Sequence, residues 1–114
     1  DTPADFRKYG VLIFNLNGEQ YRLTAYENLD YLDVEGYENY LFLPFLDQTN
    51  GYETYGGGRY IDLYQYDNDS IVIDFNRAYN PKCVYDENFS CPIVPRENML
   101  NTRIESGVKN FSKS

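Results

Sequence analysis

The sequence contains no histidine and no tryptophan, and its 114 residues include one methionine. Without histidine the chain lacks the usual base of nucleophilic catalysis and the commonest transition-metal ligand, so an internal Ser-His-Asp triad is excluded. Neither a metal nor a cofactor is indicated. No apolar run approaches the ~20 residues that span a bilayer, and the opening residues DTPADFRKYG lack the apolar core of a signal peptide. We therefore expect no transmembrane segment in this chain.

Basic residues are also scarce. The chain has 10 lysines and arginines against 18 aspartates and glutamates, which gives a net charge of -8. A protein with this charge repels phosphate backbones and anionic membrane surfaces. We therefore expect no nucleic acid among its partners.

Aromatic residues, by contrast, are abundant, with thirteen tyrosines and seven phenylalanines. Such side chains favour strands over helices, because they suit a pleated and half-buried surface. The length fits one domain that buries roughly two thirds of the surface of the unfolded chain. We predict a single β-rich domain over residues 1–114.

The clearest element is a β-hairpin, in which VLIFNL and EQYRLTAY flank Asn17 and Gly18. Asn-Gly is the preferred pair for a two-residue type I′ turn, since both central residues need a positive φ. This loop length sets the register. It pairs Leu16 with Glu19, Phe14 with Tyr21, Leu12 with Leu23 and Gly10 with Ala25, and it collects the apolar side chains on one face.

Four further strands and a loop complete the predicted fold. The acidic stretch from Glu27 to Asn39 is interpreted as a loop with room for one helical turn. YLFLPFLD is predicted to be a strand with Pro44 at a sheet edge or bulge. RYIDLYQY and IVIDF are predicted to form a second hairpin around DNDS, and TRIESGV to add a closing strand. The expected fold class is all-β: a small antiparallel barrel or sandwich of six to seven strands with long irregular loops.

Four stretches of the chain carry a family resemblance: TYGGGRYIDL, IDFNRAYNPKC, SCPIVPREN and ESGVKNF. In this order and spacing they resemble a bacterial family known only as domain of unknown function 1684, from about Tyr9 to Phe111. Val94 stands where that family usually has proline, and Ser106 where it usually has alanine. The resemblance implies no activity. It implies that the chain is the C-terminal part of a longer protein, and it favours a periplasmic or membrane-anchored location over a cytoplasmic one.

Cys83 and Cys91 lie in a loop rich in proline and asparagine. A disulfide between them would close a ring of nine residues and stabilise the fold by roughly 2.5 kcal/mol. In a reducing compartment two buried thiols remain the alternative. Zinc is weakly supported, because without histidine only carboxylates could complete the site.

The same half of the chain concentrates polar side chains in loops next to strand ends. The candidate ligand-binding residues are Arg59, Asp74, Asn76, Arg77, Tyr79, Asn80, Glu97 and Asn98. Two guanidinium groups with asparagine and tyrosine donors could clamp a carboxylate, a phosphate or a sugar. The alternative is that the arginines pair with Asp62, Asp74 or Glu97 and hold the loops in shape.

Three hypotheses about function follow from these residues. The leading one is a non-enzymatic β domain that binds a small polar ligand or a protein partner at the loop-built site. The second is a hydrolase-like enzyme that uses a carboxylate and an arginine, with Asp74, Glu97 and Tyr79 as acid and base candidates. The third is a purely structural domain.

Overall fold

The computed structural model of the chain describes residues 5–65, 71–86, 93–105 and 107. Four strands form one antiparallel sheet in sequence order: β1 (Phe6–Leu16), β2 (Glu19–Asn28), β3 (Tyr40–Phe45) and β4 (Arg59–Tyr64). Within these residues the helices are 3-10 turns at Leu29–Tyr31, Phe75–Arg77, Lys82–Val84 and Arg96–Asn98. The protein is thus mostly β, as predicted.

The first hairpin has the predicted turn and register. Asn17 and Gly18 have φ angles of 52° and 83°, as a type I′ turn requires. All four predicted pairs of β1 and β2 are present, and an irregularity in the pairing lies between Lys8 and Gly10. The local turn chemistry was sufficient to predict this element.

Pro44 was predicted to lie at a sheet edge or at a bulge, but β3 runs between β2 and β4 and pairs with β4 in an unbroken register. On the β4 side Pro44 pairs with Tyr60, and on the β2 side the paired register is confined to Tyr26 and Phe42. The Asn98 side chain bridges the strands there: its Nδ2 donates to the carbonyls of Pro44 (2.7 Å) and Thr24 (2.8 Å). Its Oδ1 accepts from the Thr24 N–H at 2.8 Å. A side-chain amide thus replaces ladder bonds where proline cannot donate one.

Two predicted strands are absent from the described residues. In IVIDF, Ile71, Ile73 and Phe75 pack against the core and Val72 is 84% exposed, as in a half-buried strand. The segment nevertheless joins no ladder up to residue 74. β-propensity describes how side chains fit a half-buried surface, and this segment meets that condition without a partner strand among the described residues. The DNDS turn lies outside the described residues.

TRIESGV is likewise not a strand over residues 102–105. The chain before it runs beside the end of β3, where the Leu46 N–H donates to the Asn98 carbonyl (2.9 Å) and the Gln48 N–H donates to the Thr102 carbonyl (2.8 Å). Leu46 and Met99 form a parallel bridge there. The expected barrel or sandwich of six to seven strands is therefore corrected to one open sheet of four strands in the described part of the chain.

The sheet buries apolar side chains on both faces. One face carries the main core, which includes Leu23, Leu43, Phe45, Ile61 and Ile104. The opposite face carries a smaller aromatic cluster of Tyr26, Phe42 and Tyr60 with Val94. Tyrosines therefore sit in packed positions as well as on the surface.

Candidate functional site

Arg59, the first candidate residue, lies fully inside the core. Its side chain and that of Asp47 are 0% exposed, with 3.5 Å between the Arg59 Nη2 and the Asp47 Oδ2. The same nitrogen donates to the Ile104 carbonyl at 2.8 Å. Burial lowers the pKa of Arg59, and the charge of Asp47 opposes this shift. Arg59 thus connects β4 to the segments around Asp47 and Ile104 and has no exposed surface for a ligand.

Asn80 and Asn98 are also buried. The Nδ2 of Asn80 donates to the Tyr85 hydroxyl at 3.0 Å, and the Asn98 amide bonds across the β2–β3 gap as described above. Three of the eight candidate residues therefore hold the fold together in this structure.

Glu97 contacts Tyr26 of β2 and Lys8 of β1. One carboxylate oxygen accepts from the Tyr26 hydroxyl at 2.7 Å and is 3.1 Å from the Lys8 Nζ. The hydrogen bond from Tyr26 lowers the pKa of Glu97, partial desolvation opposes this, and Lys8 adds to the lowering. The structure therefore does not join Glu97 to the other acid candidates.

Asp74, Arg77 and Tyr79 do come together, at a cavity of about 520 Å³ beside β4. We call it the Asp62 cavity; its lining residues are Ile61, Asp62, Leu63, Tyr64, Val72, Asp74, Arg77 and Tyr79. Asn76 is exposed and is absent from this lining. Three of the predicted residues thus share one concave surface, the usual form of a ligand site.

Local backbone bonds position these three side chains. The Asp74 Oδ1 accepts from the Asn76 N–H at 3.0 Å and so begins the 3-10 turn Phe75–Arg77, which carries Arg77. Tyr79 pairs with Tyr60 on the outer edge of β4, through N–H to carbonyl bonds of 2.8 and 2.9 Å. The order of capping residue, turn and bridge explains why residues 74–79 lie along this edge.

Asp62 also lines the cavity, although it is not among the site residues predicted from the sequence. Its Oδ1 accepts from the hydroxyls of Tyr40 (2.8 Å) and Tyr79 (2.6 Å). Burial is the main reason that the pKa values of both tyrosines are raised, and the neighbouring carboxylate adds to the effect. Both tyrosines therefore stay protonated and hold the carboxylate in one orientation.

Two charged groups of the cavity, Asp62 and Arg77, form no ion pair with a described residue. The Asp62 Oδ2 has no hydrogen bond to a described residue, and Arg77, an exposed residue, forms no ion pair within the described ranges. The predicted alternative, in which Arg77 pairs with a nearby carboxylate, is thus not what the structure shows. The signal for Asp62 was the alternation of RYIDLYQY, which places it beside Tyr60 and Tyr64 on the polar side of the strand.

The remaining expectations concern cysteines, metals and membranes. Cys83 lies in the turn Lys82–Val84, whereas Cys91 is outside the described residues, so their disulfide stays a prediction. Over residues 5–65, 71–86, 93–105 and 107, no group of three or more metal-binding side chains occurs. In the same residues no helix is long and apolar enough to span a bilayer.

Fold and cavity together define a small protein with an open antiparallel sheet and a charged cavity at the outer edge of its fourth strand. The chain belongs to the family described as "Protein of unknown function (DUF1684)", whose model matches residues 1–109. No curated protein matches the chain. The resemblance identified from the sequence is therefore confirmed.

A solved structure is also similar to this chain: the solution NMR structure of the uncharacterised protein from gene locus rrnAC0354 of Haloarcula marismortui. The two are 36% identical with a TM-score of 0.68, and the match covers 87% of this chain and 53% of that one. This chain thus spans about half the length of that protein. Because the source is an archaeon, the description of the relatives as bacterial was too narrow. Neither comparison supports an envelope location, which stays a prediction.

Proposed function

We propose that this protein binds a small polar ligand in the Asp62 cavity. The observation that carries the proposal is the pair of opposite charges, Arg77 and Asp62, that line one cavity without an ion pair between them. Charged groups in a concave surface gain from a partner that replaces their water. The ligand therefore carries both an anionic group and hydrogen-bond donors.

The geometry supports this division of roles. The Asp62 carboxylate, held through Oδ1 by two tyrosine hydroxyls, presents Oδ2 to hydroxyl or ammonium donors. Arg77 can bind a carboxylate or phosphate with two parallel hydrogen bonds. Because two tyrosines already hold Asp62, binding requires little further ordering of that group.

The walls of the cavity add a preference for a ring or carbon chain. Tyr64 and Tyr79 are each partly exposed, at 42% and 37%, and Val72 lies in the same lining. Aromatic faces stack on the apolar side of sugar rings. A sugar acid, a sugar phosphate or a hydroxylated organic acid satisfies the charges and the walls together.

Thermal unfolding against a panel of sugars, sugar phosphates, organic acids, nucleotides, flavins and divalent metals tests the proposal. A ligand at ~100 times its Kd adds about 2.7 kcal/mol, which raises the Tm of a domain of this size by roughly 10 °C. We expect a hit among the anionic hydroxylated compounds. We also expect Arg77→Ala and Asp62→Asn each to abolish the Tm shift.

Arg96→Ala is the matched control, since Arg96 is exposed and does not line the Asp62 cavity. It should leave the shift unchanged. A ligand whose shift survives both Arg77→Ala and Asp62→Asn binds elsewhere and contradicts the proposal. A panel without any shift favours the purely structural hypothesis instead.

A further inference from the structure

β1 is the outermost strand on one side of the sheet, and half of its backbone groups point away from β2. In a hairpin with a two-residue turn, Leu16 and Glu19 form a hydrogen-bonded pair, and such pairs recur at every second residue. Val11, Ile13 and Asn15 therefore direct their N–H and C=O groups to the open edge. No other strand in the described part of the chain pairs with this edge.

This edge lacks the usual protection against pairing. The stretch from Tyr9 to Asn15, YGVLIFN, has no charged residue and no proline. Val11 and Ile13 are 55% and 56% exposed. Natural edge strands are normally blocked by lysine, proline or a cover, and an unblocked apolar edge is a template for another strand. The irregularity at Lys8 affects only one end.

A gap lies beside the same strand. A cavity of about 570 Å³ is lined by residues 9–16 of β1 together with Gln65, Ile71, Ile73 and Phe75. A residue of a packed strand occupies on the order of 160 Å³, given its rise and the spacing of strands and layers. The gap therefore has room for roughly three or four residues of one strand, and not for a second sheet.

Residues 71–75, three of which line this cavity, resemble a strand that lacks a neighbouring strand. Residues 71–75 alternate between half-buried and exposed positions, and they are strongly β-branched, yet residues 71–74 join no ladder. A segment with this pattern is typical of a sheet. A single inserted strand explains the bare edge, the gap and the unpaired segment together.

We propose that an extended polypeptide segment inserts between β1 and residues 71–75, pairs with the outer edge of β1 and closes the sheet. The segment is supplied by polypeptide beyond these 114 residues, of the kind that forms the unmatched part, nearly half, of the Haloarcula marismortui chain. It carries apolar side chains at alternate positions, to pack against Leu12, Phe14 and Ile73, and no charge in its centre. This proposal does not depend on the ligand proposed for the Asp62 cavity.

Amide hydrogen exchange of the 114-residue chain tests the proposal directly. The first probe is a synthetic peptide of alternating threonine and valine with lysine at both ends. At millimolar peptide we expect exchange at Val11, Ile13 and Asn15 to slow at least tenfold. The same peptide with alternate amides N-methylated cannot complete the ladder and should leave exchange unchanged.

A substitution on the edge provides a second, independent test. Ile13→Pro removes an N–H that points away from β2, a position where an edge strand tolerates proline. It should abolish the peptide effect, whereas Ile13→Thr, which keeps the N–H and is also β-branched, should retain it. If Ile13→Pro does not fold, as judged by circular dichroism, the N-methylated peptide still decides the question.

Several results would overturn the proposal. Slow exchange at Val11, Ile13 and Asn15 without peptide would mean that this chain covers its own edge. A dimer in light scattering that Ile13→Pro dissociates would assign the edge to a second copy. Unchanged exchange at millimolar alternating peptide would exclude strand insertion.

The source of the strand is tested with overlapping peptides that span the unmatched part of the Haloarcula marismortui chain. At least one of them should slow exchange at the β1 edge, and Ile13→Pro should abolish its effect. If none binds while the alternating peptide does, the strand comes from a different protein, and the assignment to additional polypeptide of the same chain is wrong.

Discussion

Arg59 and Arg77 both lie beside carboxylates in the loop-rich half of the chain, but their surroundings differ. Arg59 is fully buried, with Asp47 at 3.5 Å and the Ile104 carbonyl at 2.8 Å. Arg77 is exposed and lines the Asp62 cavity without an ion pair to a described residue. A guanidinium in the low-dielectric core needs a partner built into the fold, whereas water can solvate one at the surface. Only the second kind is available to a ligand.

The comparison extends to the other polar candidates. Asn98 belongs with Arg59, because its amide is buried and bonded to backbone groups of β2 and β3. Asp62 belongs with Arg77, because it lines the same cavity and its Oδ2 has no hydrogen bond to a described residue. Substitutions in the first group should therefore lower stability, and substitutions in the second should affect binding.

The largest effect is expected for Arg59→Ala. Removing the guanidinium leaves Asp47 buried without its ionic partner, which typically costs about 3–5 kcal/mol of the free energy of unfolding. Urea denaturation followed by circular dichroism measures the loss. Arg103→Ala is the control, since Arg103 pairs with Glu53 at the surface and should change stability little. A loss no larger than that of the control would contradict a structural role for Arg59.

Asn98→Ala is expected to have the next largest effect. It leaves the Thr24 N–H and the Pro44 carbonyl without their partner between β2 and β3, and each buried unsatisfied group costs about 1–3 kcal/mol. The same denaturation experiment should show a clear decrease. Asn101→Ala removes an exposed asparagine of the same chain segment and should be close to neutral. Equal stability of the two variants would show that solvent replaces the lost bonds.

The elements that were predictable from the sequence are those in which local chemistry decides the geometry. The Asn17–Gly18 turn sets the register of β1 and β2, so the apolar face could be predicted residue by residue. The pairing of β3 with β4 could not be predicted, because 13 residues separate the two strands and no tight turn specifies their register. Their register places Phe42 opposite Asp62 and Tyr40 opposite Tyr64, and so it forms the diagonal contact from Tyr40 to Asp62.

The site was predictable to a similar degree. Asp74, Arg77 and Tyr79 were identified because they lie within six residues of one another in a loop, and the cap of the 3-10 turn keeps them together. Arg59 and Asn98 were included because composition alone does not distinguish a buried polar side chain from an exposed one. That difference depends on which segments cover them, here the segments around Asp47 and Ile104 for Arg59.

A smaller, pH-dependent effect is expected at Glu97. The hydrogen bond from Tyr26 lowers the pKa of Glu97 in the folded protein, so its contribution to stability is fully present above the unfolded pKa of about 4.3. That contribution is lost as the pH falls through the lowered, folded pKa. Tyr26→Phe should therefore lower the Tm at pH 7 and lower it less at pH 3. In a Glu97→Gln background the pH dependence of this difference should disappear, and its persistence would assign it to other groups.

The smallest effect on stability is expected for Arg77→Ala, and this result would sharpen the comparison most. Because Arg77 is exposed and has no ion pair to a described residue, its removal should change the free energy of unfolding by less than about 0.5 kcal/mol. The variant should nevertheless lose the ligand-induced rise in Tm that we expect for the wild-type chain. A destabilisation approaching that of Arg59→Ala would mean that Arg77 also holds the fold together, and the two arginines would no longer differ in kind. A neutral variant that no longer responds to ligand would separate binding from folding at a single position.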